Sequence, residues 1–576
     1  MSLPLLALSV LAVLAFGYRA YGRLMTRVLR FRDDRVTPAV RCEDGVDYVP
    51  TGRFYLLGQH FSAIAAAGPI AGPILACQQF GWLPCILWTT LGVILIGAVH
   101  DLAALYASVR HGAASVAEIA RRHLGRRAWI TFTLFIWIAL IYVIVAFTDI
   151  TASTFVGQTD ELSGVPFNPG GAVAAASLFY LLLSVVMGLV QRRWNPPLWL
   201  VTAVFVPATL GVVWAGTRVS TVLVFASASP VKTWGLVILA YCFVASIVPL
   251  WALLQPRGYL GGFVLYMALA IGAIGVFSGH YPVLQPAFKG WHAPGVDGSS
   301  IPLWPFLFVT IACGACSGFH GLVCSGTTSK QIRIESHCRP VGYGGMLLES
   351  FVALIALSTV MILAPQEVQG SPGRIYGNGI GRYLTLVLGA KHLLFCTTFG
   401  AMAFSTFVFD TLDVSTRLGR YLVQELFGGQ GRVWRFGATL ITLAPPLVIL
   451  LGAAAPGTGK RPAYMEYWTL FGTSNQLLAA LSLLGVSVWL HRSRRPVAYT
   501  LVPALFVLLV TAWSLVLQIQ ASLAAVSRGG HPFDAVVVNG VVAVALCALA
   551  FSLVLDTARA FRGAAAAGAL DGAESA

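Results

Sequence analysis

The chain has 576 residues, of which 57% are hydrophobic and only 10% are charged, and its mean hydropathy is +0.79. Soluble domains carry about 25% charged residues, so this composition excludes a soluble protein and predicts an all-α polytopic membrane protein. The net charge of +15 does not indicate a nucleic-acid partner, because the basic residues cluster in short loops between apolar runs, as membrane topology requires. The lipid bilayer is the partner that the composition predicts.

The first apolar run, 2–18, predicts a retained membrane span rather than a signal peptide. No basic residue precedes it, whereas Arg19, Arg23, Arg27 and Arg30 follow it. Because basic residues favour the cytoplasmic side of a membrane, this order predicts an N-terminus outside.

Further runs are long enough to cross a bilayer core, which takes about 20 helical residues. Together with the first run they make fifteen predicted spans: 2–18, 56–77, 83–109, 128–148, 172–190, 197–217, 233–254, 259–278, 303–325, 344–364, 391–415, 435–454, 464–490, 497–519 and 535–556. The segment 380–390 is ambiguous, since it could extend the eleventh span or form a re-entrant helix. Alternation of the spans places the basic loops on one side and loops poor in Lys and Arg, such as 150–171, on the other. It also predicts a cytoplasmic C-terminus.

Two predicted spans are interrupted. Span 2 contains GPIAGPILACQ (Gly68–Gln78), and span 9, which runs in the opposite direction, contains CGACSGFHGLVCSGTTSK (Cys313–Lys330). A proline in a helix interior costs about 3 kcal/mol, and inside a bilayer the freed carbonyls have no water as a partner. Each interruption is therefore either a kink that serves packing or a broken backbone that binds something.

Broken spans of opposite direction in corresponding places indicate a transporter with two inverted five-span repeats and broken first and sixth core helices. A half-helix N-terminus attracts a carboxylate, and the opposite carbonyl end suits a cation. We expect the backbone to be non-helical near Gly68–Pro73 and Gly314–Gly321, and the two segments to face each other. The predicted substrate-binding residues are Gly68, Pro69, Ala71, Gly72, Pro73, Ser317, Gly318, Phe319, His320 and Gly321.

This organisation divides the chain into six parts. They are 1–55 with the first span and a basic cytoplasmic loop, 56–217 with the first repeat, 218–302 with two inserted spans and an external loop, 303–490 with the second repeat, 491–562 with two peripheral spans, and 563–576 as a disordered tail.

Five stretches resemble one known family. They are HFSAIAAAGPIAGPILACQQFGWLP (His60–Pro84), GAVHDLAALYASVRH (Gly97–His111), CGACSGFHGLVCSGTTSKQ (Cys313–Gln331), DTLDVSTRLGRYLVQEL (Asp410–Leu426) and FGTSNQLLAALSL (Phe471–Leu483). These motifs are similar to the carbon starvation protein A family of bacterial inner-membrane transporters, over roughly residues 20–490. The resemblance implies uptake of pyruvate or small peptides, coupled to protons, in the carbon-starvation response. It also implies a fold related to the amino acid–polyamine–organocation superfamily.

Ionisable side chains inside a membrane are costly and indicate function. His320, within the second break, could donate to a substrate carboxylate or carry a coupling proton near neutral pH, and the alternative is a structural hydrogen bond. His100 and Asp101 are adjacent in span 3, where neighbouring side chains point about 100° apart. We therefore expect one of the two to approach the broken span while the other faces elsewhere, and both are candidates for proton coupling.

Near the inner end of span 11, Asp410 and Asp413 share a helix face, and Arg417 follows four residues after Asp413. A cytoplasmic gate salt bridge and a solvated helix end are both open. The related sodium-coupled fold implies a candidate sodium site at Ser405 and Thr406, completed by carbonyls of the first broken helix. Hydroxyls that bond back to their own helix are the alternative.

The broken spans predict a secondary active transporter that works by alternating access on a small carboxylate. The resemblance implies that the carboxylate is pyruvate or a small peptide and that it is imported across the bacterial inner membrane. Proton coupling is favoured over sodium coupling, and no cofactor is expected. A sodium-coupled amino acid or peptide symporter and a nutrient sensor with a transport fold remain alternatives. An enzyme is not indicated, since the chain has neither H-E-x-x-H nor G-x-S-x-G. Interrupted inverted repeats do not suit a simple channel.

Overall fold

The computed structural model describes the backbone of residues 2–45, 47–162, 165–225, 227–294, 300–429, 431–453 and 462–574. Most of this backbone is helical, as the hydropathy predicted. Two short antiparallel hairpins are formed by β1 (Asp160–Leu162) with β2 (Val165–Phe167) and by β3 (His292–Pro294) with β4 (Ser300–Pro302). Both hairpins lie in loops that the charge pattern places on the side opposite the basic loops.

The described residues of the first half of the chain form twelve α-helices. They are α1 (Leu3–Val28), α2 (Pro38–Arg41), α3 (Arg53–Ile64), α4 (Gly68–Phe80), α5 (Trp82–Leu87), α6 (Ala98–Arg110), α7 (Val116–Leu124), α8 (Arg126–Phe155), α9 (Pro169–Trp194), α10 (Leu198–Arg218), α11 (Pro230–Ile247) and α12 (Leu254–Phe277). A π-helical segment, Trp88–Gly97, joins α5 to α6, so that Trp82–Arg110 forms one continuous span.

Nine α-helices follow in the part of the second half that the structure describes. They are α13 (Leu303–Thr310), α14 (Gly318–Gly326), α15 (Gly344–Met361), α16 (Pro372–Leu388), α17 (Leu393–Phe427), α18 (Arg432–Gly452), α19 (Ala463–Arg492), α20 (Ala498–Ser527) and α21 (Ala535–Glu574). A π-helical turn, Arg339–Tyr343, leads into α15.

Thirteen helices of the described ranges are long and apolar enough to cross a membrane, and the pair α3–α4, bent by 49°, makes up to fourteen spans. The predicted number of fifteen is therefore not confirmed. The predicted span 303–325 consists instead of α13 and α14, with 8 and 9 residues, because glycine and other small residues between them do not sustain a helix.

Helix α16 was not predicted as a separate element. It contains Arg374 and Arg382, which lower its hydropathy, and four glycines. Two of these glycines bring it close to α17, since a methyl group on Gly377 would lie 2.7 Å from Ala401 Cβ and one on Gly381 would lie 2.6 Å from Thr397 Cγ2. The ambiguous segment 380–390 is thus the end of this helix.

The helices form an enclosed centre and a lipid-facing periphery. Within the most apolar 18-residue stretch of each helix, all residues are buried in α19 and 78% are buried in α8. The buried share of the same stretch is only 33% in α1, 44% in α20 and 39% in α21. The outer helices expose large apolar side chains, such as Leu509 at 70%. Burial of α19 places its polar residues in the interior, next to the two breaks.

Both breaks begin before the residues expected to form them. In the first span α3 ends at Ile64, residues 65–67 are non-helical, and α4 begins at Gly68. In the second span residues 311–317 are non-helical, and α14 begins at Gly318. The breaks expected near Gly68–Pro73 and Gly314–Gly321 are thus present, but they lie three residues earlier in each span, and Gly68–Pro73 and 318–321 are themselves helical. Proline fits the first turn of a helix, where no N–H partner is needed, so the first Gly-Pro pair starts α4 instead of breaking it.

The last helix, α21, extends to Glu574. The tail from 563 onward, expected to be disordered, is therefore helical over most of its length in this structure. Its run of alanines explains the difference, because alanine has the highest helix propensity.

Candidate functional site

The two helix breaks lie against each other, as expected. A methyl group on Gly68 would lie 2.5 Å from Cys313 Sγ, and one on Gly72 would lie 2.6 Å from the carbonyl oxygen of Thr310. Glycine therefore lets α4 approach the end of α13 at backbone distance. All of the predicted substrate residues on α4 are buried: Gly68, Pro69, Ala71, Gly72 and Pro73.

The N-terminus of α14 is capped by a side chain from α19. The backbone N–H of Phe319 donates to Asn475 Oδ1 at 2.9 Å, and Asn475 Nδ2 donates to Ser317 Oγ at 3.1 Å. Gly318 allows this contact, because a methyl group there would lie 2.5 Å from the carbonyl oxygen of Asn475. The helix end predicted to bind a carboxylate thus holds an amide oxygen in this structure.

The carbonyl end of α13 is also bonded by α19. Gln476 Nε2 donates to the carbonyl oxygen of Phe308 at 2.8 Å, and Trp468 Nε1 donates to that of Thr310 at 2.9 Å. A freed carbonyl inside a membrane requires such a partner. Helix α19 therefore stabilises both ends of the second break.

Four ionisable side chains meet beside this break. Asp101 on α6 has one oxygen 2.8 Å from His100 Nδ1 and the other 2.9 Å from His320 Nδ1. On the opposite side of the His320 ring, Nε2 lies 3.2 Å from Glu349 Oε2 on α15. All four side chains are at most 1% exposed. The cluster joins α6, α14 and α15 in the interior.

The geometry limits where the protons of this cluster can be. An ionised carboxylate only accepts, so both Nδ1 atoms donate to Asp101. Neither Glu349 oxygen makes an aligned hydrogen bond within the described ranges, although one of them lies 3.2 Å from His320 Nε2. A further proton then resides on one of these two groups, giving either an imidazolium at His320 or a neutral carboxyl at Glu349. In both cases the cluster carries one net negative charge with His100 neutral. One more proton would neutralise it, which matters because an uncompensated buried charge is costly.

Both residues of the His100–Asp101 pair face the broken span, so the expectation that one of them faces elsewhere was wrong. The His100 ring lies 3.3 Å from the position of a methyl group on Gly321, in α14. His60 on α3 lies at the same interface, where its Nδ1 is 2.9 Å from Thr328 Oγ1. Within the described ranges, the Nε2 atoms of His60 and His100 have no hydrogen-bond partner.

A second charged cluster surrounds Arg257, at the start of α12. Its guanidinium pairs with Asp410, and its Nη1 lies 3.0 Å from Asp413 Oδ2, both on α17. The Tyr241 hydroxyl donates to the same Asp413 oxygen at 2.8 Å. The Arg257 side chain is 2% exposed. Two carboxylates and one guanidinium therefore leave this cluster, like the first, with one negative charge.

Arg417 does not form the ion pair with Asp413 that its spacing suggested. Its Nη2 donates to the carbonyl oxygens of Ala245 at 2.6 Å and Val248 at 2.9 Å. These groups end α11, where the helix dipole is negative and attracts a cation. The Asp413 carboxylate is bound by Arg257 instead.

Ser405 and Thr406 are buried in α17. Ser405 Oγ lies 2.7 Å from Ser177 Oγ on α9 and donates to the carbonyl oxygen of Met402 at 2.9 Å. Thr406 Oγ1 donates to Met402 Sδ at 3.2 Å. Both hydroxyls thus bond to Met402, one turn earlier in the same helix. This is the arrangement given above as the alternative to a sodium site.

The family model for carbon starvation protein CstA matches residues 2–375 and 367–514. The chain belongs to this family. The resemblance found in the sequence motifs is thereby confirmed.

Three relatives are similar to this chain over most of its length. The peptide transporter CstA of Bacillus subtilis (strain 168) is 30% identical, over 96% of this chain and 95% of the relative. The peptide transporter CstA of Mycobacterium tuberculosis (strain ATCC 25618 / H37Rv) is 33% identical, over 88% of this chain and 73% of the relative. The pyruvate/proton symporter BtsT of Escherichia coli (strain K12) is 30% identical, over 88% and 80%.

Among solved structures, a manganese transporter of Eremococcus coleocola matches with a TM-score of 0.47 and 14% identity, over 89% of this chain and 97% of the other. The names of the CstA relatives identify a transporter and not an enzyme. With the apolar helices described above, the chain is a multi-pass membrane transporter.

Sequence reasoning did not assign three site residues of this CstA member. Glu349 was visible as an acid within an apolar run, but nothing in the sequence identified His320 as its partner. Arg257 was placed in a loop between two spans, whereas α12 begins at Leu254. Asn475 lay within the apolar span 464–490, and nothing in the sequence indicated that it caps α14. For Arg257, the available signal was a lone arginine between apolar runs and two acids on one face of α17.

Proposed function

We propose that this protein imports a small carboxylate nutrient, pyruvate or a small peptide, in symport with protons across the bacterial inner membrane. The observation that carries the proposal is His320, held between Asp101 and Glu349 at the start of a broken helix. A histidine changes charge near neutral pH, and this one can exchange a proton with two carboxylates. Relatives named as a peptide transporter and as a pyruvate/proton symporter support both the substrate class and the coupling ion.

The order of elements supports inverted repeats. The bent pair α3–α4 is followed by the span Trp82–Arg110, the short α7 and the long α8. The broken pair α13–α14 is followed by α15, then α16 and the long α17. Two inverted units with broken first helices would place the substrate between the breaks, as in other transporters of that kind.

Contacts between loops support the proposed orientation, with the C-terminus in the cytoplasm. Arg110 Nε lies 3.0 Å from Glu335 Oε1, which joins the loops after α6 and α14. Arg495 Nη1 donates to the carbonyl oxygen of Leu29 at 2.6 Å, which joins the loops after α19 and α1. Loops that the positive-inside rule assigns to the cytoplasm therefore meet at one face.

In the proposed cycle the substrate carboxylate binds at the N-terminus of α14, where Asn475 now accepts from Phe319. Close packing of Gly72 against Thr310 leaves no room for a ligand between α4 and α13 in this structure. Binding therefore requires these segments to separate. A proton added to the His320 cluster and the carboxylate of the substrate would enter together, because each offsets the charge of the other.

The test uses the purified full-length protein in sodium-free liposomes with labelled pyruvate. An inward pH gradient should drive uphill uptake that a protonophore abolishes, and counterflow against unlabelled pyruvate and small peptides should rank the substrates. If uptake follows a sodium gradient and ignores pH, proton coupling is wrong, and Ser405→Ala with Thr406→Ala should then stop transport. Absence of both uptake and counterflow for every substrate would favour a sensor.

A further inference from the structure

A cavity of about 460 Å³ lies where three helices end at one face of the protein. Its wall is formed by the end of α11 with residues 248–250, by the last turns of α17 and by the beginning of α18. It contains Arg417, Arg420 and Arg435, together with Gln424, and no acidic residue from the described part of the chain. It is separate from the clusters of His320 and Arg257.

Two of these arginines are fixed in place. Arg417 and Arg420 are 9% and 4% exposed. Arg417 donates to the end of α11 as described, and Arg420 Nη1 donates to the carbonyl oxygen of Ser246. The Nε atoms of both are buried without a hydrogen-bond partner in the described ranges. Both guanidinium groups are therefore preorganised, with donors left for a ligand.

The charge of the cavity exceeds that of its neighbours, because three arginines lie beside a cluster with one net negative charge. Asp413, one turn before Arg417 on α17, is already bound by Arg257 and Tyr241. Within the described ranges no ion pair joins Arg417, Arg420 or Arg435 to an acid. Neutral carbonyl groups satisfy hydrogen bonds but do not cancel three positive charges. An anion is the ligand that would.

The surroundings indicate which kind of anion fits. Guanidinium groups bind phosphate with paired, charge-assisted hydrogen bonds. Next to the cavity, α11 and α18 expose apolar side chains, among them Val244 at 54% and Phe436 at 45%. Apolar surface of these two helices thus adjoins the arginines. Basic pockets of this type between membrane helices bind phospholipid headgroups.

We propose that this cavity binds a phosphate group, supplied by the headgroup of an anionic phospholipid whose acyl chains lie along α11 and α18. The phosphate bridges Arg417 and Arg420 on α17 to Arg435 on α18. Its binding stabilises the contact of these helices with α11. Helix α17 also carries Asp410 and Asp413, so an occupied cavity restrains the helix that holds the second charged cluster.

The experiment measures thermal unfolding of the purified full-length protein with phosphatidylglycerol, with phosphatidylcholine, or with inorganic phosphate at constant ionic strength. The variant is Arg435→Gln, whose side chain is exposed and leaves the fold intact, with Arg420→Gln as a second variant. The matched control is Arg432→Gln, on the same helix end and outside the cavity. A ligand that binds only the folded state raises the unfolding midpoint.

Phosphatidylglycerol should raise the midpoint of wild type and Arg432→Gln, and the increase should be at least halved in Arg435→Gln. Phosphatidylcholine should have no such effect. Inorganic phosphate could instead raise the midpoint where phosphatidylglycerol does not, with the increase lost in Arg435→Gln. That result would retain the phosphate site and identify free phosphate, instead of a lipid headgroup, as its ligand. Equal increases in wild type and both cavity variants, or no increase with either phosphate source, would overturn the proposal.

Discussion

His320 Nε2 lies 3.2 Å from Glu349 Oε2, while Nδ1 of the same ring lies 2.9 Å from Asp101. The imidazole therefore connects two carboxylates on different helices, α6 and α15, through a residue at the start of the broken helix α14. Any movement of α14 that breaks one of these contacts changes the relative affinity of the two carboxylates for a proton. This is the arrangement that coupling between a proton and a helix movement needs.

Glu349→Gln should separate transport from coupling. The amide keeps the size of the side chain beside His320, but it cannot release a proton. We expect pH-driven accumulation of substrate to fall at least about tenfold, which corresponds to about 1.4 kcal/mol of lost coupling free energy. Counterflow should persist, because it needs no net proton movement. The matched control is Glu367→Gln, in an exposed ion pair with Arg382. Equal accumulation by Glu349→Gln and wild type would remove Glu349 from the proton path.

Parts of this architecture could be predicted because they depend on local properties. Long apolar runs indicated α8 and α19, and the glycines and prolines indicated where two spans break. The exact start of α4 could not be predicted, since a proline both ends an interior helix and begins a new one. Helix α16 was missed because its glycines serve close packing against α17, and packing does not appear in hydropathy.

The partners within the site depend on tertiary contacts. His320 and Asp101 are 219 residues apart, and Arg257 and Asp410 are 153 residues apart. A single sequence indicates that His320 and Asp101 are unusual inside a membrane, but not that they touch. The i,i+4 spacing of Asp413 and Arg417 suggested a local pair, yet the carbonyl groups ending α11 provide a competing partner for Arg417.

Removing Arg257 should destabilise the protein strongly. Arg257→Gln leaves Asp410 and Asp413 without their cation, and breaking a buried ion pair on one side costs about 3–5 kcal/mol. We expect a large drop in the midpoint of thermal unfolding, measured in detergent. Adding Asp410→Asn and Asp413→Asn should restore most of it, because no uncompensated charge then remains. The exposed Arg218→Gln serves as control, and an unchanged midpoint in Arg257→Gln would show that the cluster does not support the fold.

Gly72→Ala should impair both stability and transport. The added methyl group would lie 2.6 Å from the carbonyl oxygen of Thr310, which is backbone and cannot rotate away. The effect therefore comes from packing of α4 against α13, and it does not require Gly72 to contact the substrate. Gly211→Ala, where nothing lies within 4 Å, is the control. Wild-type unfolding and counterflow in Gly72→Ala would contradict this close contact.

A pair of histidines outside the membrane spans should make folding stability depend on pH. His111 Nε2 lies 2.8 Å from His123 Nε2 on α7, so one ring donates and the other, which accepts, is neutral. Burial lowers the pKa of His123 from 6.5 to about 4, and burial also lowers the pKa of His111. Below pH 6.5 the unfolded chain binds protons that the folded chain does not.

Stability from this pair is therefore complete above about pH 6.5 and is lost as the pH falls toward about 4. The unfolding midpoint of wild type should decrease between pH 7.5 and pH 5, and this decrease should be smaller in His111→Gln with His123→Gln. The exposed His280→Gln should retain the wild-type profile. Hydrogen exchange in α7 gives a local measurement of the same loss. Parallel profiles for wild type and the double variant would contradict the role of this pair.

Asn475→Asp should compete with the substrate for the N-terminus of α14. In the proposed cycle the substrate carboxylate replaces Asn475 as the acceptor from Phe319. A carboxylate fixed on α19 would bond more strongly to that N–H, since the helix N-terminus attracts negative charge. We expect the apparent substrate affinity in counterflow to fall by about tenfold or more, with the unfolding midpoint unchanged or raised. Gln518→Glu is the control, since it also introduces a buried acid next to α19. Gln518 bonds to Thr473 and Ser514, which lie away from the break. A variant with normal affinity and a raised midpoint would show that Asn475 is a permanent cap and that the carboxylate binds elsewhere.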